Sequence, residues 1–235
     1  LRASSDLHLD AMSTFGESGM VDSRLRLQKG RVESVVRRRG RSRSRYIIST
    51  PAASAAVRGT LVRMSADGSI ARTEVTQGGI DFSSYGVSLE VPEKFGTLAE
   101  QGKAPEAPRP LLPPPNLADV KSSDHRSVQV ALTWPAVEGA DRYRAVLYAD
   151  PDLKTLLREE LVDDNGFAFA STRDGAYTLV VRAVDKDGIE GLEASETVTV
   201  NARPVAPTLT GPSDGTREHE ALQLEWAKNI DATGY

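Results

Sequence analysis

The chain of 235 residues contains no cysteine. That excludes disulfides, thiolate metal sites and cysteine nucleophiles together, and it leaves cytoplasm and periplasm equally open. Aromatic residues are scarce, at 6%. The scarcity disfavours a stacking platform for bases and fits small cores of Val, Leu and Ala. No apolar run approaches the ~20 residues that span a bilayer. The sequence starts at Leu1 and shows no leader peptide, so it reads as a processed or truncated piece of an exported protein. Only three histidines occur, His8, His125 and His219. None has a second His three or four residues away, so no zinc site is expected.

Other chemical signatures fail on spacing. Asp185 to Gly188, "DKDG", opens like a calcium loop, but its glycine falls fourth instead of sixth and a third aspartate is missing. It reads as a hairpin turn. "QGG" and "RGT" do not stand between a strand and a helix as phosphate loops do. No serine occupies a nucleophile elbow. No catalytic residue, metal ligand or cofactor is expected, and the chain reads as non-enzymatic.

What is present is charge, unevenly spread. The net charge is −4, which gives the whole chain no pull toward nucleic acid. Residues 1–103 carry 16 Lys and Arg against 11 Asp and Glu, whereas residues 104–235 carry 13 against 22. The contrast, together with the length, points to more than one domain. Gln101 to Leu117, "QGKAPEAPRPLLPPPNL", holds six of the 13 prolines. Proline fixes φ and removes a donor, so this stretch reads as an extended, semi-rigid connector.

The densest charge is "RRRGRSRSR", with Arg37, Arg38, Arg39, Arg41, Arg43 and Arg45 in nine residues. It lies between two strand-like phrases, "GRVESVV" and "YIISTPA", and aromatic interleaving is absent apart from Tyr46. The run therefore reads as an exposed loop, with a docking patch for an anionic partner as the second reading and a nucleic-acid arm disfavoured.

The acidic half contains an internal repeat. Without gaps, Pro115 aligns with Pro207, Leu117 with Leu209, Leu132 with Leu224, Trp134 with Trp226 and Tyr143 with Tyr235. A period this long indicates tandem domains, the second cut short. "VQVALTW" puts Val128, Val130, Leu132 and Trp134 on one face, and "YRAVLYA", "AYTLVVRAVD" and "ETVTVN" follow as strands. With Trp134, Tyr143, Tyr177 and the "RAVDKDGIEG" turn in place, the segment resembles a fibronectin type III-like domain, an antiparallel β-sandwich. The truncated repeat is expected to leave Leu222, Leu224 and Trp226 exposed.

In the basic half, "TLVRMSADGSIARTEVTQGGIDF" reads as three strands with turns at Asp67-Gly68 and Gly78-Gly79. "TPAASAAVRGTLVRM", Thr50 to Met64, with "TEVTQGGIDF" and "GTLAEQGK" after it, resembles the FecR domain of bacterial envelope proteins. The signature positions are Thr50, Pro51, Val57, Arg58, Gly59 and Thr60, with a structural role. The resemblance implies a solenoid-like all-β domain without catalytic residues. Relatives relay a signal from an outer-membrane receptor to a sigma factor, or are exported proteins with a peptidoglycan-binding module that is absent from this sequence.

The expected organisation is a FecR domain over 1–103, a Pro-rich linker over 104–113, a sandwich over 114–203 and a partial repeat over 204–235. The expected role is a periplasmic scaffold or interaction module whose partners are other envelope proteins, a membrane sensor or a multi-subunit envelope complex. A signalling regulator acting with a membrane sensor is the alternative, and a carbohydrate- or peptidoglycan-binding accessory module is a third. Core placement of Trp134 and Trp226 counts against the last.

Overall fold

The structure, a computed structural model, describes residues 5–15, 20–36, 45–57, 59–121, 124–202, 208–211 and 225–227. Nearly all of its regular structure is strand. The first ten are β1 (Asp6–Phe15), β2 (Met20–Val35), β3 (Arg45–Ser49), β4 (Ser54–Val57), β5 (Leu61–Asp67), β6 (Ile70–Gln77), β7 (Gly79–Ser84), β8 (Val87–Pro92), β9 (Phe95–Glu100) and β10 (Arg109–Pro110). They form one mixed sheet in the order β10-β9-β6-β5-β2-β3-β4-β7-β8, with β1 against β2.

Strand β2 serves both halves of this sheet. Its residues Asp22–Arg26 pair with β3 in parallel, while Gly30–Val35 pair with β5 antiparallel. Arg45 lies beside Asp22, although only ten residue steps, about 36 Å of chain at most, follow Val35. A straight strand from Val35 back to Asp22 would cover about 43 Å. Strand β2 therefore curves, and Gly30 sits where it does so. Its φ is +97°, and a Cβ there would lie 2.3 Å from the Ser5 hydroxyl oxygen, which accepts the Arg31 N–H at 3.0 Å.

The curl closes the sheet over its own core. Ile48, Ala55, Val57, Phe82 and Val91 come from one half, and Val62, Met64, Ala71, Val75 and Ala99 from the other; each is buried. A fully buried Val, Met or Phe contributes about 1.5–3 kcal/mol, so this interior holds the curl without large aromatic clusters. The "ADGS" hairpin turns one residue later than the sequence reading placed it. Asp67 pairs with Ile70, which leaves Gly68 and Ser69 at the tip. The "QGG" phrase is not a hairpin at all: β6 pairs with β5 and β9, β7 with β4 and β8, and Gly78 carries the chain from one half of the sheet to the other.

The second assembly begins with the one-turn helix α1 (Ala118–Lys121), capped by the Asn116 carboxamide oxygen, which accepts the Ala118 N–H at 3.1 Å. Then follow β11 (Asp124–His125), β12 (Gln129–Thr133), β13 (Arg142–Tyr148), β14 (Leu156–Val162), β15 (Gly166–Ala170), β16 (Gly175–Val184) and β17 (Glu190–Val200). Five strands form a sheet in the order β11-β17-β16-β13-β14, and β12 pairs with β15. Val130, Leu132, Phe167 and Phe169 from the pair meet Tyr143, Leu147, Tyr177, Leu179 and Val181 from the larger sheet in one core.

Trp134 is 2% exposed and packs edge-on against Tyr143, with ring centroids 5.6 Å apart. Tyr143 Oη accepts the Val137 N–H at 2.7 Å, and Tyr177 Oη donates to the Arg173 carbonyl at 2.8 Å. Val128, expected on the Trp134 face, is exposed, because the paired strand begins only at Gln129. The pairing is also not purely antiparallel: β11 runs parallel to β17. Beyond this lie β18 (Leu209–Gly211) and β19 (Glu225–Trp226), paired with each other, and Trp226 is 44% exposed. Leu222 and Leu224 lie outside the described residues.

Candidate functional site

The most concentrated chemistry lies where the two sheets meet. The proline-rich segment, expected as an extended, semi-rigid connector, is stitched to both. Glu106 N–H donates to the Leu98 carbonyl at 2.9 Å and Leu111 N–H to the Lys94 carbonyl at 2.8 Å, while the Leu112 carbonyl accepts the Leu192 N–H at 2.9 Å. Pro110 lies in β10 and the other prolines flank it, on an edge strand where a missing N–H costs no ladder bond. Two glycines permit the approach. A Cβ on Gly96 would meet Ile189 at 2.8 Å, and one on Gly191 would meet the Leu112 carbonyl oxygen at 2.7 Å.

The "DKDG" phrase is the tight turn that the sequence implies. The Asp185 carboxylate accepts the N–H groups of Asp187 and Ile189, both at 2.9 Å. It is also a docking element. Arg72 Nε, from β6, donates to the Asp187 carbonyl at 2.6 Å, and Arg109 reaches the carboxylates of Asp185 at 2.9 Å and Asp187 at 2.7 Å. Gly188 has φ +82°, and a Cβ there would come within 2.9 Å of Arg72.

Behind this turn, Glu190 is fully buried, and its carboxylate is enclosed by arginines from both sheets. Arg31 from β2 lies 2.7 Å away, Arg144 from β13 donates to the same oxygen, and Arg182 from β16 lies 3.5 Å from the other. Arg63 from β5, 1% exposed, donates across the seam to the carbonyls of Glu190 at 3.1 Å and Gly191 at 2.7 Å. Glu74 from β6 accepts the Glu190 N–H at 3.1 Å. Outer ion pairs complete the network: Arg182 with Glu33 and Glu193, and Arg144 with Glu159.

Burial alone would raise the Glu190 carboxyl, but Arg31, Arg144, Arg63 and Arg182 overcome it and hold it down at about 2. Glu74 goes the other way. Burial pushes its pKa up against the pull of Arg63, and the neighbouring Glu190 adds to the rise. Burial lowers Arg31, while at Arg182 the carboxylates of Glu190, Glu33 and Glu193 outweigh burial and raise it.

A cleft of about 410 Å³ opens beside the joint. Lys29, Arg72, Arg142, Asp67 and Leu161 are among its walls. The arrangement contains no nucleophile beside a base, and no group of three or more His, Cys, Asp or Glu among the described residues could hold a metal ion. Its capacity is mechanical: it fixes one sheet against the other.

The candidate docking and signature residues that the structure describes are not part of this joint. Arg37, Arg38, Arg39, Arg41 and Arg43 fall outside the described residues, and Arg45 opens β3 beside Asp22. Thr50 closes a turn, its hydroxyl oxygen accepting the Ala53 N–H at 2.9 Å, with Pro51 exposed at the corner. Val57 is buried in the first core. Gly59 has φ +67°, and Thr60, 2% exposed, donates to the Gly79 carbonyl at 2.9 Å, joining the "RGT" and "QGG" phrases. Arg58 lies outside the described residues. The joint itself was missed. Its one sequence signal is the hairpin pair Arg63 and Glu74, which face each other across β5 and β6.

Residues 1–81 match the family described as FecR protein. The match covers most of the curled sheet, including the Thr50–Thr60 signature and the bend at Gly30. No curated protein matches the chain. Among solved structures, two crystal structures of a proposed anti-sigma factor from Parabacteroides distasonis share 11% and 14% identity, each with a TM-score of 0.34 over 45% of this chain. The chain spans 60% and 51% of those structures. The extracellular domain of a proposed hybrid two-component system from B. thetaiotaomicron has 7% identity and a TM-score of 0.27 over 82% of this chain and 31% of its own. At these scores the likenesses carry no functional inference.

Proposed function

We propose that this chain is a periplasmic, non-catalytic signalling regulator that acts through contacts with a membrane sensor or receptor. The observation that carries the reading is the FecR domain at residues 1–81. The seam is compatible with it, because buried charge holds the FecR domain to a second β assembly and so gives the two a shared physical connection. Within this reading the first domain is the solenoid-like FecR fold, and residues 114–203 are a fibronectin type III-like repeat followed by the start of another. No helix among the described residues is long and apolar enough to cross a membrane.

A rigid spacer within an envelope assembly is the second reading, favoured by the same buried joint and by the absence of converging catalytic groups among the described residues. A sugar platform is disfavoured, since Trp134 is in the core.

The test is deletion of the gene in its native host, followed by transcript profiling with and without complementation. A signalling regulator changes a defined gene set, and complementation restores it. An envelope-integrity defect with unchanged transcription would overturn the regulatory reading in favour of the spacer.

A further inference from the structure

Strand β14, "LLREELV", ends the five-stranded sheet and pairs only with β13 among the described residues. Its outer edge carries an unusual concentration of apolar surface. Leu156 is 43% exposed, Leu157 48% and Leu161 37%, with Leu153 beside them at 39% and φ +56°. Isolated exposed leucines are ordinary, but three within one seven-residue edge strand, with a fourth just before it, set this strand apart. An open edge also offers a row of backbone donors and acceptors.

The sequence of the strand says what fits it. When β14 is set antiparallel to itself about Glu159, Leu157 stands opposite Leu161, Arg158 opposite Glu160 and Leu156 opposite Val162, each twice. Moving the axis to Arg158 or Glu160 puts Leu157 or Leu161 opposite Glu159. This register sets apolar opposite apolar and positive opposite negative at every position except Glu159, which meets its own copy; its neighbours do not. Glu159, at the axis, already pairs with Arg144 at 3.0 Å, which lessens its repulsion of its own copy. Arg158 and Glu160, now 2.6 Å apart on one strand, are exposed enough to re-pair across the axis.

We propose that this edge docks a second copy of the same chain, with β14 pairing to β14 in the register centred on Glu159, so that two five-stranded sheets become one of ten. A bulge at Leu157, where β14 slips against β13 between Leu147 and Tyr148, limits the regular pairing to 158–160 about the Glu159 axis, with Leu157 and Leu161 flanking it on each side. Bulges often guard edges against pairing, but this one lies outside the central 158–160. The paired segment is short, so the dimer is concentration-dependent. This inference is independent of the signalling reading.

The test is sedimentation of the 235-residue chain over a concentration series, for the native sequence, Arg158→Glu, Glu160→Arg and the double swap. Each single reversal sets two pairs of like charge face to face and weakens the dimer about ten-fold or more. The double swap restores it, because the pairs again carry opposite signs. Arg158 also sits 5.4 Å over the Phe167 ring, so Leu157→Lys serves as a second disruption that leaves that contact intact. A chain that stays monomeric at every concentration overturns the proposal. So does a dimer indifferent to the single reversals and to Leu157→Lys, since that places its interface elsewhere.

Discussion

Arg63 and Glu190 belong to different sheets, yet the Arg63 guanidinium donates to the Glu190 carbonyl oxygen at 3.1 Å from a position 1% exposed. The bond is made to backbone, so it fixes the path of β17 against β5 and not merely a side chain. Arg63→Met keeps most of the length but leaves the carbonyls of Glu190 and Gly191 without that donor and Glu74 without its counter-charge. The expected loss is about 3–5 kcal/mol in urea unfolding. A loss below about 1 kcal/mol would mean that water replaces the guanidinium at no cost.

Acid should loosen the seam. The Glu190 carboxyl is held at about 2, below its ordinary value of 4.5, because four arginines outweigh its burial. A lowered folded pKa gives stability that is present above 4.5 and lost as pH falls toward 2. Glu74, raised by burial, acts in the opposite sense: its contribution is fullest below 4.5 and fades as pH rises through the raised value. Asp150 and Asp187 are also lowered, by hydrogen bonds to the Lys154 N–H and to the Lys186 ammonium respectively, and add to the acid loss. Urea midpoints from pH 2 to 7 for the native chain and Glu190→Gln isolate the buried group. The native curve should fall more steeply below pH 4.5; parallel curves would contradict this assignment.

The bend in β2 depends on Gly30. Gly30→Val requires a β-branched residue at φ +97° with its Cβ against Ser5. Backbone strain alone costs about 1–3 kcal/mol, and displacement of Ser5 from the Arg31 N–H adds to it. The expected outcome is a lowered unfolding midpoint with hydrogen exchange accelerated first in β1 and β2. Unchanged protection there would place the curvature elsewhere.

Thr60→Val removes the hydroxyl that donates to the Gly79 carbonyl and keeps the shape. About 1 kcal/mol should be lost, as expected for a part-buried hydrogen bond. Thr60→Ser should recover most of it. If Val and Ser behave alike, the threonine of this signature acts through packing.

Part of the second assembly was legible in the sequence because β12 obeys one simple rule. Val130, Leu132 and Trp134 alternate with the exposed Gln129, Ala131 and Thr133, and all three are buried. The "DKDG" turn was legible for a similar reason, since Asp185 and Gly188 carry its geometry locally. The joint was hidden by the same rule. Arg63 and Glu74 occupy positions that period-two reading assigns to solvent, and the first sheet buries them only because the second covers it. Thr73 and Ser65 are buried on the same hairpin, so β5 and β6 have two inside faces. Strand β14 escaped notice because its exposed leucines and clustered charges match no half-buried pattern, and the crossing at Gly78 because a glycine pair marks a change of direction without saying where the chain goes next.

The central claim is that Glu190 and its arginines make the two sheets one cooperative body. The most direct measurement is calorimetry of the native chain beside Glu190→Gln at pH 7. The native chain should unfold in a single transition, and the variant, with its arginines no longer neutralised, should separate into two, the first lowered by several degrees. One unchanged transition in both proteins would contradict the claim, since the two sheets would then be cooperative without the Glu190 charge.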